Sequence, residues 1–175
     1  MISSTTFRST RKAHPKSRVR VSTIHPLADR PDAIPQLARW FFEEWGALDK
    51  RPVEQIARQL RGNLNRDAVP MTWLAVEGER VIGTISLDRE DLPGFNHLTP
   101  WLACFYVDRP HRGRGTGRAL LAHLLAEARR LRVASIYLWT SNLEDFYGRQ
   151  GWRSVDETNL SGQRVVVMRR DFPPG

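Results

Sequence analysis

The chain has 175 residues, 41% of them apolar and 26% charged, with a formal net charge of +8 and a single cysteine, Cys104. That length fits one domain with a substantial core, and no apolar run approaches the roughly 18 residues of a membrane-crossing helix. No hydrophobic segment reads as a secretory signal, no Cys/His cluster has metal-ligand spacing, and a lone cysteine excludes an internal disulfide, so the expected setting is the reducing cytoplasm.

The excess charge is local. Arg8, Arg11, Lys12, Lys16, Arg18 and Arg20 carry it without an intervening acid, which leaves 21 basic against 19 acidic residues in the rest of the chain. Residues 1–18 are expected to form a disordered basic tail and residues 19–175 a single domain. Such a tail can touch nucleic acid nonspecifically, but no motif of a nucleic-acid reader is present.

In chain order, Arg20–Ile24 alternates weakly and predicts a first strand, ended by His25-Pro26. Asp32 is placed to cap a helix reaching Trp45, with Ile34, Leu37, Ala38, Phe41 and Trp45 on one face and Gly46 as its stop. Pro52 opens a second helix to about Leu64. Met71–Val76 and Arg80–Leu87 flank Glu77-Gly78-Glu79 and predict a hairpin. Asp88–Thr99 is a long irregular stretch, a length that in compact domains is usually functional. Trp101–Val107 reads as a strand in which Cys104 is buried. Arg118–Leu131 carries a leucine face and reads as a helix, and Ala134–Thr140 as a buried strand. A short helix over Leu143–Gln150 follows, capped by Asn142, then strands near Arg153–Asp156 and Arg164–Arg169. The order β-α-α-β-β-β-α-β-α-β-β gives a mixed α/β fold.

Between the Trp101–Val107 strand and the next helix lies Arg112-Gly-Arg-Gly-Thr-Gly-Arg118. Glycines there let the backbone approach a ligand closely. The helix N-terminus beyond them offers unpaired N–H groups and partial positive charge. Together with Arg112, Arg114 and Arg118 this predicts a cradle for a phosphorylated cofactor. The NTP-binding loop requires Gly-Lys-Ser/Thr, which is absent. The dinucleotide fingerprint would need a third glycine at position 118, which is Arg, and an acid closing the next strand, which holds none.

Arg112-x-x-Gly115-x-Gly117 after a strand ending in Val instead resembles the acyl-CoA signature of the GNAT (Gcn5-related N-acetyltransferase) family. Phe146-Tyr-Gly-Arg-Gln-Gly-Trp152 is similar to that family's downstream tyrosine element. Val165–Met168 followed by Arg169 is similar to its closing strand, and Leu98–Leu102 resembles bacterial members. The resemblance covers about residues 20–172. It implies a mixed, mostly antiparallel sheet with a splayed parallel strand pair, here Trp101–Val107 and Ala134–Thr140, and helices on both faces.

The resemblance further implies acetyl-CoA as acyl donor. The backbone of Phe105, Tyr106 and Val107 would pair with its pantetheine arm, and Arg112, Gly113, Arg114, Gly115, Thr116, Gly117 and Arg118 would receive its pyrophosphate. Tyr147 falls on the position of the acid that protonates the departing thiolate. The base has no clear match: several histone-acetylating members carry Glu where this chain has Trp101. His97, Asp108 and a water chain to solvent stand as alternatives, and Asn142 falls two residues past an Asn that contacts the cofactor in some relatives. Acidic residues near the first helix and the long loop, among them Glu43, Glu44, Asp49, Asp88, Glu90 and Asp91, would draw a cationic amine or simply be solvated. The expected function is therefore acetyl transfer to a primary amine of a small molecule or peptide, with a homodimer also allowed. The alternatives are a non-catalytic acyl-CoA-binding module on the same fold and a nucleic-acid-associated protein anchored by its tail.

Overall fold

The computed structural model describes residues 22–173; the basic tail expected over residues 1–18 lies outside the described residues. A seven-stranded sheet runs in the order β1-β2-β3-β4-β5-β7-β6. Its strands are β1 (Thr23–Pro26), β2 (Met71–Glu77), β3 (Arg80–Asp88), β4 (Trp101–Val107), β5 (Ser135–Thr140), β6 (Arg153–Leu160) and β7 (Gln163–Asp171). The helices are α1 (Ile34–Asp49), α2 (Val53–Gly62), α3 (Thr116–Arg130) and α4 (Glu144–Gly148). Every neighbouring pair is antiparallel except β4 with β5.

Two apolar layers cover the sheet's two faces. On one, α3 seats Leu120, Leu121, Leu124 and Leu125 against Trp73, Ile85, Leu102 and Leu138. Burying each such side chain contributes about 1.5–3 kcal/mol. Gly83 of β3 makes the approach possible: a Cβ there would stand 3.0 Å from the Tyr106 carbonyl and 3.1 Å from a Leu120 methyl. On the other face, Leu37, Ala38 and Phe41 of α1 and Ile56 and Leu60 of α2 pack on Leu74, Val76 and Tyr106. A third cluster, Leu92, Trp101, Tyr137, Val165 and Val167, fills the point where β4 meets β5.

Several predicted boundaries move, each for a local reason. Helix α1 runs through Gly46 and ends at Lys50, whose left-handed backbone (φ 55°) lets its N–H reach the Gly46 carbonyl. The stop is an αL residue without being a glycine. Asp32 caps nothing: its carboxylate pairs with the Arg30 guanidinium at 3.0 Å, and a 3₁₀ turn leads into the helix. Asn142 is not the cap of α4 either; the Thr140 hydroxyl accepts the N–H of Leu143 at 3.1 Å. Strands β6 and β7 extend beyond the predicted spans because they pair along their length through the Ser161-Gly162 turn.

Candidate active site

Strands β4 and β5 touch at one ladder position, Trp101 opposite Tyr137, with the Tyr137 N–H donating to the Pro100 carbonyl at 3.0 Å. Beyond that point the two strands pair no further, so the β5-facing edge of β4 toward Val107 is left without a ladder partner. Free main-chain donors and acceptors on such an edge are available to a ligand. Trp101, fully buried, wedges this junction; its indole N–H donates to the Leu98 carbonyl and its ring lies 5.8 Å from that of Tyr137. A bulky side chain at position 101 thus serves packing.

The edge is reshaped by a bulge. Ser86 pairs with Ala103 and Thr84 with Tyr106, so Cys104 and Phe105 together oppose Ile85. Cys104 takes a left-handed backbone, φ 51°. A bulge of this kind leaves one residue out of the ladder and re-aims its neighbours. Cys104 is accordingly half-buried and lines the cavity, in place of the fully buried position expected for it.

A cavity of about 510 Å³ opens through the splay. Its walls are Phe41 and Trp45 of α1, Ile56, Gln59 and Leu60 of α2, the β4 bulge, the end of β5 from Leu138 onward, and Tyr147 of α4. Tyr147 is 6% exposed, its ring held edge-on between Phe146 and Trp152 at centroid distances of 5.1 and 5.9 Å. Burial alone pushes its phenol up to about 12, because a phenolate there would lose its hydration. The same desolvation pushes the Cys104 thiol far above its ordinary range.

At the mouth of the splay the chain turns through a 3₁₀ segment, Arg109–His111, into the glycine loop. Gly113 (φ 74°) and Gly115 (φ 88°) hold left-handed conformations with open space where a Cβ would stand, and Gly115 is the residue from which α3 starts. Gly117 lies against the Phe105 ring, 3.4 Å from the position of an added Cβ. Thr116 is buried, while Arg114 and Arg118 are exposed. Arg112 is engaged elsewhere. Its Nε donates to the Val107 carbonyl at 2.8 Å, its guanidinium lies 5.4 Å from the centre of the Tyr106 ring, and Glu44 stands 3.8 Å away. Tyr106 in turn packs on Trp40 at 4.9 Å. Arg112 thus braces the end of β4 against α1.

Neither side chain weighed as a base reaches the cavity. His97 is exposed on the long loop, its ring stacked 6.0 Å from Phe95, and is not among the lining residues. Asp108 is tied to Arg80 at 2.9 Å and faces His111 at 3.6 Å, also outside the lining. The structure does bring in residues whose role the sequence left unresolved: Glu44, Asp88, Asp91 and Asn142 all line the cavity, and with them Arg51 and Asn63. No local pattern marked Asn63, which ends α2, for this site.

A sheet splayed after one parallel pair, with a bulged strand on one side and a glycine turn leading into a helix at its mouth, is the arrangement of an acyl-CoA-dependent acyltransferase. A sequence model of the acetyltransferase (GNAT) family matches residues 34–152, and the chain belongs to that family: it is an N-acetyltransferase with acetyl-CoA as acyl donor. Solved structures share the fold. An aminoglycoside 6'-acetyltransferase type Ii superposes with a TM-score of 0.67 at 18% identity, over 87% of this chain and 99% of its own. An aminoglycoside 6'-N-acetyltransferase in complex with coenzyme A gives 0.68 at 16%, over 87% and 98%. An acetyltransferase from Streptococcus agalactiae 2603 gives 0.63 at 24%, over 86% and 98%. No curated protein matches the chain. No helix among the described residues is long and apolar enough to cross a membrane.

Proposed function

We propose that the chain moves the acetyl group of acetyl-CoA to a primary amine by direct attack, with Tyr147 protonating the departing thiolate. The observation that carries this reading is that one cavity joins the β4 bulge to the buried phenol of Tyr147. The free edge of β4 at Phe105, Tyr106 and Val107 takes the pantetheine amides. The N–H groups of Gly113 to Arg118 take the pyrophosphate. Arg114 and Arg118, with no side-chain partner among the described residues, supply positive charge there, whereas Arg112 positions the strand end.

In the reaction the amine nitrogen bonds to the thioester carbonyl carbon while the oxygen gathers negative charge. A main-chain N–H freed by the Cys104–Phe105 bulge is the donor placed to stabilise that charge. The carbon–sulfur bond then breaks, and the phenol of Tyr147 gives its proton to sulfur. A phenol raised to about 12 is a weak acid in water. The leaving thiolate shares its dry surroundings and is raised for the same reason, so the mismatch between the two narrows. The ammonium proton leaves through cavity water, which also returns a proton to the Tyr147 phenolate and restores the phenol, since His97 and Asp108 both lie outside the cavity.

The test is thiol release from acetyl-CoA across a panel of primary amines. Acetylated product is expected from at least one, with kcat/KM rising toward the amine's own pKa and no protein group titrating on the acid limb. An acid limb that stays at one pH for amines of different pKa would place a protein base in the site and remove the solvent route. No turnover with any amine by a protein that binds coenzyme A would favour the non-catalytic module.

A further inference from the structure

The fold leaves one charge in the cavity unanswered. Asp88, the last residue of β3, is 7% exposed and lines the cavity. Its Oδ2 accepts from Asn63 Nδ2 at 3.2 Å and its Oδ1 from the backbone N–H of Arg89 at 2.9 Å. It has no ion-pair partner among the described residues. The Arg89 guanidinium is turned away and donates to the Val69 carbonyl at 2.9 and 3.1 Å. Arg51, the one guanidinium among the lining residues, donates to Gln59, and three carboxylates, Glu44, Asp88 and Asp91, line the cavity with it. A buried carboxylate without a counter-charge is costly to a fold, and this one sits where an acceptor can supply the missing cation.

Asp88 is also held in place. Asn63, 2% exposed, donates through the same nitrogen to Thr72 Oγ1 at 3.2 Å, and the Thr72 and Ser86 hydroxyls are 2.7 Å apart. Ser86 in turn pairs with Ala103, the residue before the bulge. The amide of Asn63 interrupts this strip as a proton path, so the strip orients the carboxylate without relaying protons. Along β3, Asp88 lies opposite Trp101, two residues beyond the Ser86–Ala103 pair next to the bulge. At the rise of a strand that places it about 7–10 Å from the bulge N–H groups. Direct proton transfer needs roughly 3 Å, so Asp88 stands too far off to be the base for a nitrogen attacking at the bulge.

We infer that Asp88 binds a second cationic group of the acceptor, making this an enzyme for short diamines and related dicationic amines, with the unreacted ammonium at Asp88 and the other at the thioester. The inference rests on the acetyl-transfer reading for the position of the reacting nitrogen. It is tested by titrating putrescine and butylamine, which differ by one ammonium, into the protein saturated with coenzyme A. Putrescine is expected to bind at least ~10-fold more tightly, and Asp88→Asn to abolish that preference while leaving the affinity for coenzyme A unchanged. Asp88→Glu keeps the charge one methylene further out, so it should keep the preference but move it to a shorter diamine.

Equal binding of the two amines by the wild type, or a preference that survives in Asp88→Asn, overturns the inference. Should Asp88→Asn lose coenzyme A binding through misfolding, an unmoved length preference in Asp88→Glu overturns it equally. The two readings fail separately. Preferential putrescine binding without thiol release defeats the acetyl-transfer reading alone, and thiol release with putrescine and butylamine bound alike defeats this one alone.

Discussion

The glycine turn and the cavity are built by opposite strategies. The turn, Gly113 to Arg118, lies outside the cavity lining; it is contiguous in sequence and exposed apart from Thr116 and Gly117, and as the proposed donor site it would work through main-chain N–H groups. The cavity, the proposed acceptor site, draws Phe41, Trp45, Ile56, Asn63, Asp88 and Cys104 from four elements far apart in the chain and would work through side chains. A site made of backbone tolerates few shapes but many side chains, while a site made of side chains can be retuned one residue at a time. Donor chemistry can therefore be shared widely within a fold while the acceptor varies.

The largest expected effect breaks the glycine turn. Gly115 has φ 88° with open space around it, so a side chain there meets strain first and ligand second. Gly115→Glu also sets a negative charge where the pyrophosphate is to lie. Calorimetry should show coenzyme A affinity reduced by about 100-fold or more, with the thermal transition of the domain retained. Normal affinity would remove the pyrophosphate from this loop. Next comes Tyr147→Phe, which keeps the ring between Phe146 and Trp152 and deletes only the hydroxyl. Turnover should fall by about 100-fold at unchanged coenzyme A affinity; undiminished turnover would leave the thiolate to another acid. Replacing both Arg114 and Arg118 by Ala is a milder change. It should weaken coenzyme A binding by roughly 10-fold at low salt and by less at high salt, because exposed charges are screened. A loss that does not depend on salt would argue against a purely electrostatic role.

The same contrast explains what could be read from the chain beforehand. The order of elements along the chain and the glycine turn follow from local patterns: leucine periodicity in α3, alternation in the hairpin, glycines ahead of a helix; the parallel β4–β5 pair came only with the family resemblance. Cys104 and Asn63 were illegible for a physical reason. A bulge arises from a two-against-one register between β3 and β4, which no single strand's sequence reveals. Asn63 acquires its meaning only when α2 ends beside Thr72 and Asp88. Trp101 was read as the absence of a carboxylate, and its packing role at the strand junction appears only with Tyr137 and Val167 beside it. Arg112 matched a phosphate motif by position, yet its guanidinium is spent on Val107 and Tyr106.

A last test sharpens the comparison at Tyr147, which lines the cavity. Its phenol is raised by burial to about 12, whereas in an unfolded chain it titrates near 10. Below about pH 10 it is neutral in both states and does not couple stability to pH. Between about pH 10 and 12 the unfolded chain releases the proton and the folded one retains it, so stability falls as pH rises through that window. The two-unit difference corresponds to roughly 2–3 kcal/mol, fully lost only above the folded value. Urea unfolding at pH 9.5 and 12.5 should therefore show the wild type losing about that much more stability than Tyr147→Phe, other tyrosines such as Tyr106 being common to both. Equal losses in the two proteins would mean that water already reaches the phenol, and a solvated Tyr147 would no longer share the dry environment in which it and the leaving thiolate are matched.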